Sequence, residues 1–173
     1  ELLNAFRSDN YPALADVGVN IHYNEPFIRR AKEDSAPLRI ATALETGIEI
    51  VKIFPGMRPE TLGAMLRIPG VRGVVLETYG AGNAPTADWF VRAVGRAVER
   101  GAVVLNVTQC QGGSVSMDMY ETGRGLQECG VVSGRDITTE SAVTKLMYLL
   151  GQNWDGDRVR DMLGRSIRGE ITV

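Results

Sequence analysis

Four short apolar runs constrain this chain more than any other feature: IEIVKIFP from Ile48, VRGVVLETY from Val71, AVVLNVTQC from Ala102 and GVVSG from Gly130. Each reads as a strand followed by glycine or proline punctuation. Strands that are apolar almost throughout are covered on both faces, and their alternation with helical patterns leaves a parallel sheet with crossover helices as the arrangement that buries them. The reading is therefore an α/β fold, a small four-stranded parallel sheet flanked by helices, from about Ile48 to Val173. The helical patterns are RPETLGAMLRI from Arg58, TADWFVRAVGRAVERG from Thr86, MYETGRGLQECG around Tyr120, TTESAVTKLMYLLGQ from Thr138 and DGDRVRDMLGRSI from Asp155. In the second of these, Phe90, Ala93, Val94, Ala97 and Val98 recur at i, i+3, i+4 spacing, while Arg92, Arg96, Glu99 and Arg100 point elsewhere. Thr138 or Thr139 suits an N-cap, with Glu140 in the first turn, and Gly101 and Gly151 suit helix ends.

Residues 1–46 lack this regularity. SDNYPALADVG is turn-rich, NIHYN reads as a short strand at most, and EPFIRRAKEDSAPLRI mixes charge with two prolines. A stretch of this length without its own core reads as a linker, or as the end of something larger. The whole chain of 173 residues is long enough to bury a real core without disulfides. Its net charge of −2, from 19 basic and 21 acidic residues spread along the chain, gives no footprint for nucleic acid or an anionic membrane. Small, neutral ligands are favoured. No apolar run approaches the roughly 20 residues that cross a bilayer, and the N-terminus lacks a signal-peptide plan, so the expected location is cytoplasmic. Cys110 and Cys129 are expected to be free thiols.

Open α/β sheets bind ligands beyond the carboxyl ends of their strands, which directs attention to FPGMRP, TYGAGNAPT and TQCQGGSVSM. The second loop begins like a dinucleotide fingerprint at Gly80 and Gly82, but Pro85 stands where the third glycine should be. Either the loop is a glycine turn that only changes direction, or it presents Asn83, whose amide can both donate and accept. Cys110 precedes Gly112 and Gly113, yet a cysteine nucleophile needs a base and the single histidine, His22, lies in the irregular N-terminal stretch. A small buried thiol is the simpler reading, and two cysteines with one histidine make no zinc site, so no metal is expected. Lys145 reads as a solvated or snorkelling lysine, and Asp136 as a turn or capping residue. No complete catalytic set is legible.

The segments YGAGNAPT, then GAVVLNVTQCQGGSVSMDMYETGRGLQECGVVSGRDITTESAVTKLMYLLGQ, and SIRGEITV together closely resemble the C-terminal domain of type I, cytoplasmic L-asparaginases. The resemblance runs from about Asn4 to Val173, and YPALADVGVNI is similar to that family's passage before the interdomain linker. It implies that residues 1–46 are the end of an N-terminal domain plus the linker, and 47–173 the C-terminal α/β domain. It also implies a two-domain amidohydrolase that converts asparagine to aspartate and ammonia without metal or organic cofactor. The family's nucleophilic threonine lies in a Thr-Gly-Gly-Thr motif, supported by a Thr-Asp pair and a lysine in the larger domain, and none of these motifs occurs here.

One functional position carries over. The family offers its Tyr-Gly-x-Gly-Asn loop to the active site of a neighbouring subunit in a homodimer or homotetramer, and the matching residue is Asn83. Some members also bind an effector asparagine through an arginine before the tyrosine-glycine pair and through a Thr-Gln-Cys segment. Thr108, Gln109 and Cys110 match that segment, but Glu77 takes the arginine's place, where an acid repels an amino acid's carboxylate. Two further readings stand beside the asparaginase: a non-catalytic module that senses a small amino acid at the strand ends, and the related amidotransferase subunit that acts on glutamyl-tRNA, for which the near-neutral charge offers no support.

Overall fold

The computed structural model describes residues 9–30, 37, 39–119 and 121–172. The expectation of linker character across 1–8, 31–36 and 38 lies outside these residues, as does Tyr120. The chain divides into two units, Glu1–Ile40 and Ala41–Val173.

In the first unit, β1 (Ala15–Val17) and β2 (Ile21–Tyr23) form an antiparallel hairpin, followed by a 3₁₀ turn at Glu25–Phe27. The sequence reading anticipated a strand at NIHYN but not its partner. The Tyr11 hydroxyl donates to the Phe27 carbonyl at 2.8 Å and the two rings meet edge to face, so the hairpin and turn are fastened locally.

The second unit contains β3 (Ile48–Lys52), α1 (Pro59–Met65), β4 (Gly73–Thr78), α2 (Asp88–Glu99), β5 (Val103–Thr108), α3 (Glu121–Glu128), β6 (Val132–Ser133), α4 (Thr139–Gly151) and α5 (Gly156–Leu163). The strands lie in the order β3-β4-β5-β6, all parallel, as the four apolar runs predict. Both central strands, β4 and β5, are buried at every position. Successive side chains on a strand face opposite sides. Accordingly Val74, Leu76 and Val104 pack with Leu62 of α1, Phe90, Val94 and Ala97 of α2, and Leu126 of α3. Val75, Val103, Leu105 and Val107 pack with Ala142, Leu146 and Leu149 of α4 and with Val159 and Leu163 of α5.

Local signals set the helix ends. Thr138 caps α4 by accepting from the Ser141 N–H at 3.3 Å, which leaves Thr139 free for another contact. Asp155 caps α5 in the same way, from the Arg158 N–H at 2.9 Å. Helix α2 begins at Asp88 rather than at Thr86, and its Ala87 N-cap supplies no side-chain acceptor. Asp136 accepts from the backbone N–H of Thr172 at 2.8 Å and from its hydroxyl at 2.5 Å, tying the C-terminal segment to the turn before α4.

Candidate functional site

A parallel sheet gathers the carboxyl ends of its strands along one edge, so the loops after β3, β4 and β5 converge there. The loop after β4 is a closed turn. The Tyr79 N–H donates to the Asn83 carbonyl and the Asn83 N–H to the Tyr79 carbonyl, both at 2.8 Å, while the Gly82 N–H also donates to Tyr79 at 3.0 Å. Such a reversal needs left-handed backbone, supplied by Gly80 at φ 48° and Gly82 at φ 106°. Gly82 is required twice, because a Cβ there would stand 2.9 Å from Cγ1 of Val115. The turn spends the backbone of Asn83 on itself and leaves the side chain half-buried, with no hydrogen bond to a described residue.

Beneath this turn the strand ends are bound to one another. The Thr78 hydroxyl donates to Oδ1 of Asn106 at 2.7 Å, with both side chains fully buried. Nε2 of Gln109 donates to the carbonyls of Ile53 at 2.7 Å and Glu77 at 2.9 Å. The Gln109 N–H donates to Thr78 at 2.9 Å, so one residue joins the ends of β3, β4 and β5.

The remaining predicted positions are distributed around this edge. Thr108 is buried, and its hydroxyl accepts from the Cys110 N–H at 3.1 Å. Cys110 itself is an exposed free thiol, which corrects the expectation of a buried one. Gln109 turns back onto the strand ends, and the loop carries Cys110, the next residue, outward. Glu77 is 9 % exposed, with its Oε1 accepting from the Thr139 hydroxyl at 2.7 Å and its Oε2 paired with Nζ of Lys52 at 3.3 Å. His22 belongs to the first unit. Among the described residues no group of three or more His, Cys, Asp or Glu side chains is placed to hold a metal, and no helix is long and apolar enough to cross a membrane.

Lys145 departs furthest from its sequence reading. Its side chain is 4 % exposed, and Nζ lies 2.7 Å from Oε1 of Glu170 while donating to the carbonyls of Leu163 at 2.9 Å and Arg165 at 2.6 Å. A snorkelling lysine would keep its ammonium in water; this one exchanges water for three protein acceptors. A signal for this existed in the apolar neighbours Ala142, Leu146 and Leu149, which place position 145 within the inward arc of α4.

The glutaminase/asparaginase C-terminal domain family matches residues 47–163. The chain is 38 % identical over 170 residues to L-asparaginase 1 of Escherichia coli, covering 98 % of this chain and 49 % of that protein. It is 37 % identical over 169 residues to the human 60 kDa lysophospholipase, covering 97 % of this chain and 29 % of that protein. Its fold superposes on the crystal structure of L-asparaginase I from Vibrio cholerae with a TM-score of 0.89 at 36 % identity, covering 98 % of this chain and 50 % of that one. The chain thus spans half or less of the length of these relatives.

Proposed function

The chain belongs to the glutaminase/asparaginase C-terminal domain family, and from that premise we propose that it is the C-terminal domain of an L-asparaginase, which hydrolyses L-asparagine to L-aspartate and ammonia. On this reading residues 1–46 are the end of the preceding domain with its linker, residues 47–173 are the C-terminal domain, and the enzyme works in the cytoplasm as a homodimer or homotetramer. No metal or organic cofactor is assigned.

One observation supports the site assignment: the turn commits the backbones of Tyr79 and Asn83 to each other and leaves the Asn83 side-chain amide without a hydrogen bond to a described residue. A side-chain amide donates to a carboxylate and accepts from an ammonium, so it suits the α-carboxylate and α-amino groups of an amino acid. The nucleophile and its activator come from the other domain. Asn83 then serves binding and orientation in the pocket of a neighbouring subunit. Thr108 and Cys110 retain the effector segment of the family, but the acid at position 77, held by Lys52 and Thr139, opposes the carboxylate of an amino-acid effector there.

The test is Asn83→Ala in the full-length protein. A hydrogen bond to a charged group is worth about 1.5 to 3 kcal/mol, so kcat/KM for asparagine should fall roughly ten-fold to more than a hundred-fold with the melting temperature unchanged. Mixing this variant with subunits lacking the catalytic threonine makes heterodimers with one pocket carrying both lesions and one carrying neither, and partial recovery of activity is expected. A kinetically silent Asn83→Ala leaves the turn as a turn and removes the assignment.

A further inference from the structure

A groove of about 390 Å³ runs between α1 and α2, and its walls include Arg67, Arg92, Arg96 and Arg100, with Trp89 at one end. No carboxylate lines it. Arg92 and Arg96 on α2 and Arg100 at its C-cap follow one another at intervals of four, so their guanidiniums share a face and repel. Arg100 is committed to the fold, donating from Nη2 to the Leu66 carbonyl at 3.0 Å. Arg67, Arg92 and Arg96 are exposed and form no ion pair among the described residues. Gly63 gives Arg67 its place: a Cβ there would stand 3.1 Å from Nη1 of that guanidinium. In a chain of net charge −2 this groove gathers four guanidiniums, of which Arg92 also borders a second cavity lined by Asp88, Glu121 and Glu128, while Arg67, Arg96 and Arg100 do not.

We propose that this groove binds a nucleoside polyphosphate, with the phosphates on Arg67, Arg92 and Arg96 and the base against Trp89. Guanidinium groups recognise phosphate oxygens in paired, charge-assisted hydrogen bonds, and several converging on one groove call for a ligand with several adjacent negative charges. Trp89 is half-buried and braced edge to face by Phe90 at 5.8 Å, which makes it a fixed apolar plane next to the charged wall. Bases stack on such planes. The volume falls within the roughly 300 to 1,000 Å³ typical of small-molecule sites. Of the strand-end loops the groove takes only Pro59, where FPGMRP enters α1, and no residue of the Tyr79–Asn83 turn, so its test is independent of the role of Asn83.

The experiment is isothermal titration of the full-length protein with ATP, with tripolyphosphate and with citrate, at fixed ionic strength. ATP is expected to bind more tightly than tripolyphosphate, and citrate more weakly than either. Arg92→Ala and Arg96→Ala should each weaken ATP binding roughly ten-fold or more, because each removes a charge-assisted contact from an exposed side chain without touching the core. Trp89→Leu should weaken ATP but not tripolyphosphate. If tripolyphosphate or citrate binds as tightly as ATP to the unaltered protein, the nucleoside assignment is overturned, a result that needs no variant to fold. ATP binding that is absent, or indifferent to both arginine substitutions, overturns the site.

Discussion

The pair of buried Lys145 and half-buried Glu170 makes a quantitative prediction. Lys145 meets three acceptors with its three donors, and Glu170 in turn accepts from the backbone N–H groups of Ile167 at 3.0 Å and Arg168 at 2.6 Å. Burial alone would raise the Glu170 carboxyl, but the Lys145 hydrogen bond and these backbone donors outweigh it and lower its pKa from 4.5 to about 2. A carboxyl held below its unfolded value stabilises the fold above the unfolded value and loses that contribution on acidification. The contribution is therefore complete above about pH 4.5 and fades as pH falls through about 2. At about 1.4 kcal/mol per tenfold in proton affinity, and with the half-buried carboxyl screened in part by solvent, it amounts to about 1 to 3 kcal/mol at neutral pH.

Removing one partner should cost more than removing both. Glu170→Gln leaves a buried ammonium facing two carbonyls, and Lys145→Met leaves a carboxylate without its cation; each should destabilise by about 3 to 5 kcal/mol. The double substitution removes both charges, and should recover much of that loss. Urea unfolding at pH 7 measures the four proteins, and the same series taken down to pH 3 should show Glu170→Gln losing the wild-type acid limb. Single variants within about 0.5 kcal/mol of wild type, or strictly additive losses in the double variant, would refute the reasoning.

Three further outcomes follow from named contacts. Gly82→Ala adds a Cβ 2.9 Å from Val115 in left-handed backbone, and should cost about 1 to 3 kcal/mol in thermal unfolding; a neutral result would mean that the turn can relax. Thr138→Ala removes the α4 cap and should cost about 1 kcal/mol in urea unfolding, against no change for Thr138→Ser. In iodoacetamide labelling near pH 8 followed by peptide mass spectrometry, exposed Cys110 should react before Cys129, whose thiol is raised by burial and donates to the Leu126 carbonyl at 3.2 Å; equal rates would contradict this.

The parallel sheet was legible because β4 and β5 are buried on both faces, which makes their hydrophobicity continuous and independent of distant residues. The β1–β2 hairpin was not, because three-residue strands carrying side chains as exposed as Val17 at 79 % leave no alternation to read. The burial of Lys145 is illegible for a different reason. Its apolar neighbours mark a buried face, but its acceptors at Leu163, Arg165 and Glu170 come from α5 and the segment after it, and only tertiary structure supplies them. The arginine groove was hidden likewise, since Arg67 meets the α2 arginines only when two helices pack, and a charge summed over the whole chain averages it away. At the site, the two glycines announced a turn, whereas the role of Asn83 came from a resemblance.

Gln109 explains why that turn can hold a side chain in a fixed place. Read as part of an effector segment, it would offer its amide to a ligand; instead both the amide and the backbone N–H are committed to the carbonyls of Ile53, Glu77 and Thr78. These bonds fasten three adjacent strand ends where the ladder of the sheet gives out. Thr78 and Asn106 fasten β4 to β5 from the face that carries α2, and Nδ2 of Asn106 lies 3.6 Å from where a Gly82 Cβ would sit. The turn is therefore seated on a bonded edge rather than hung from a free one. An amide presented from such a seat loses little freedom when a ligand arrives, so more of its hydrogen-bond energy remains for recognition. The same packing makes position 82 intolerant of any side chain, which ties the orientation of Asn83 to the absence of a single methyl group next to it.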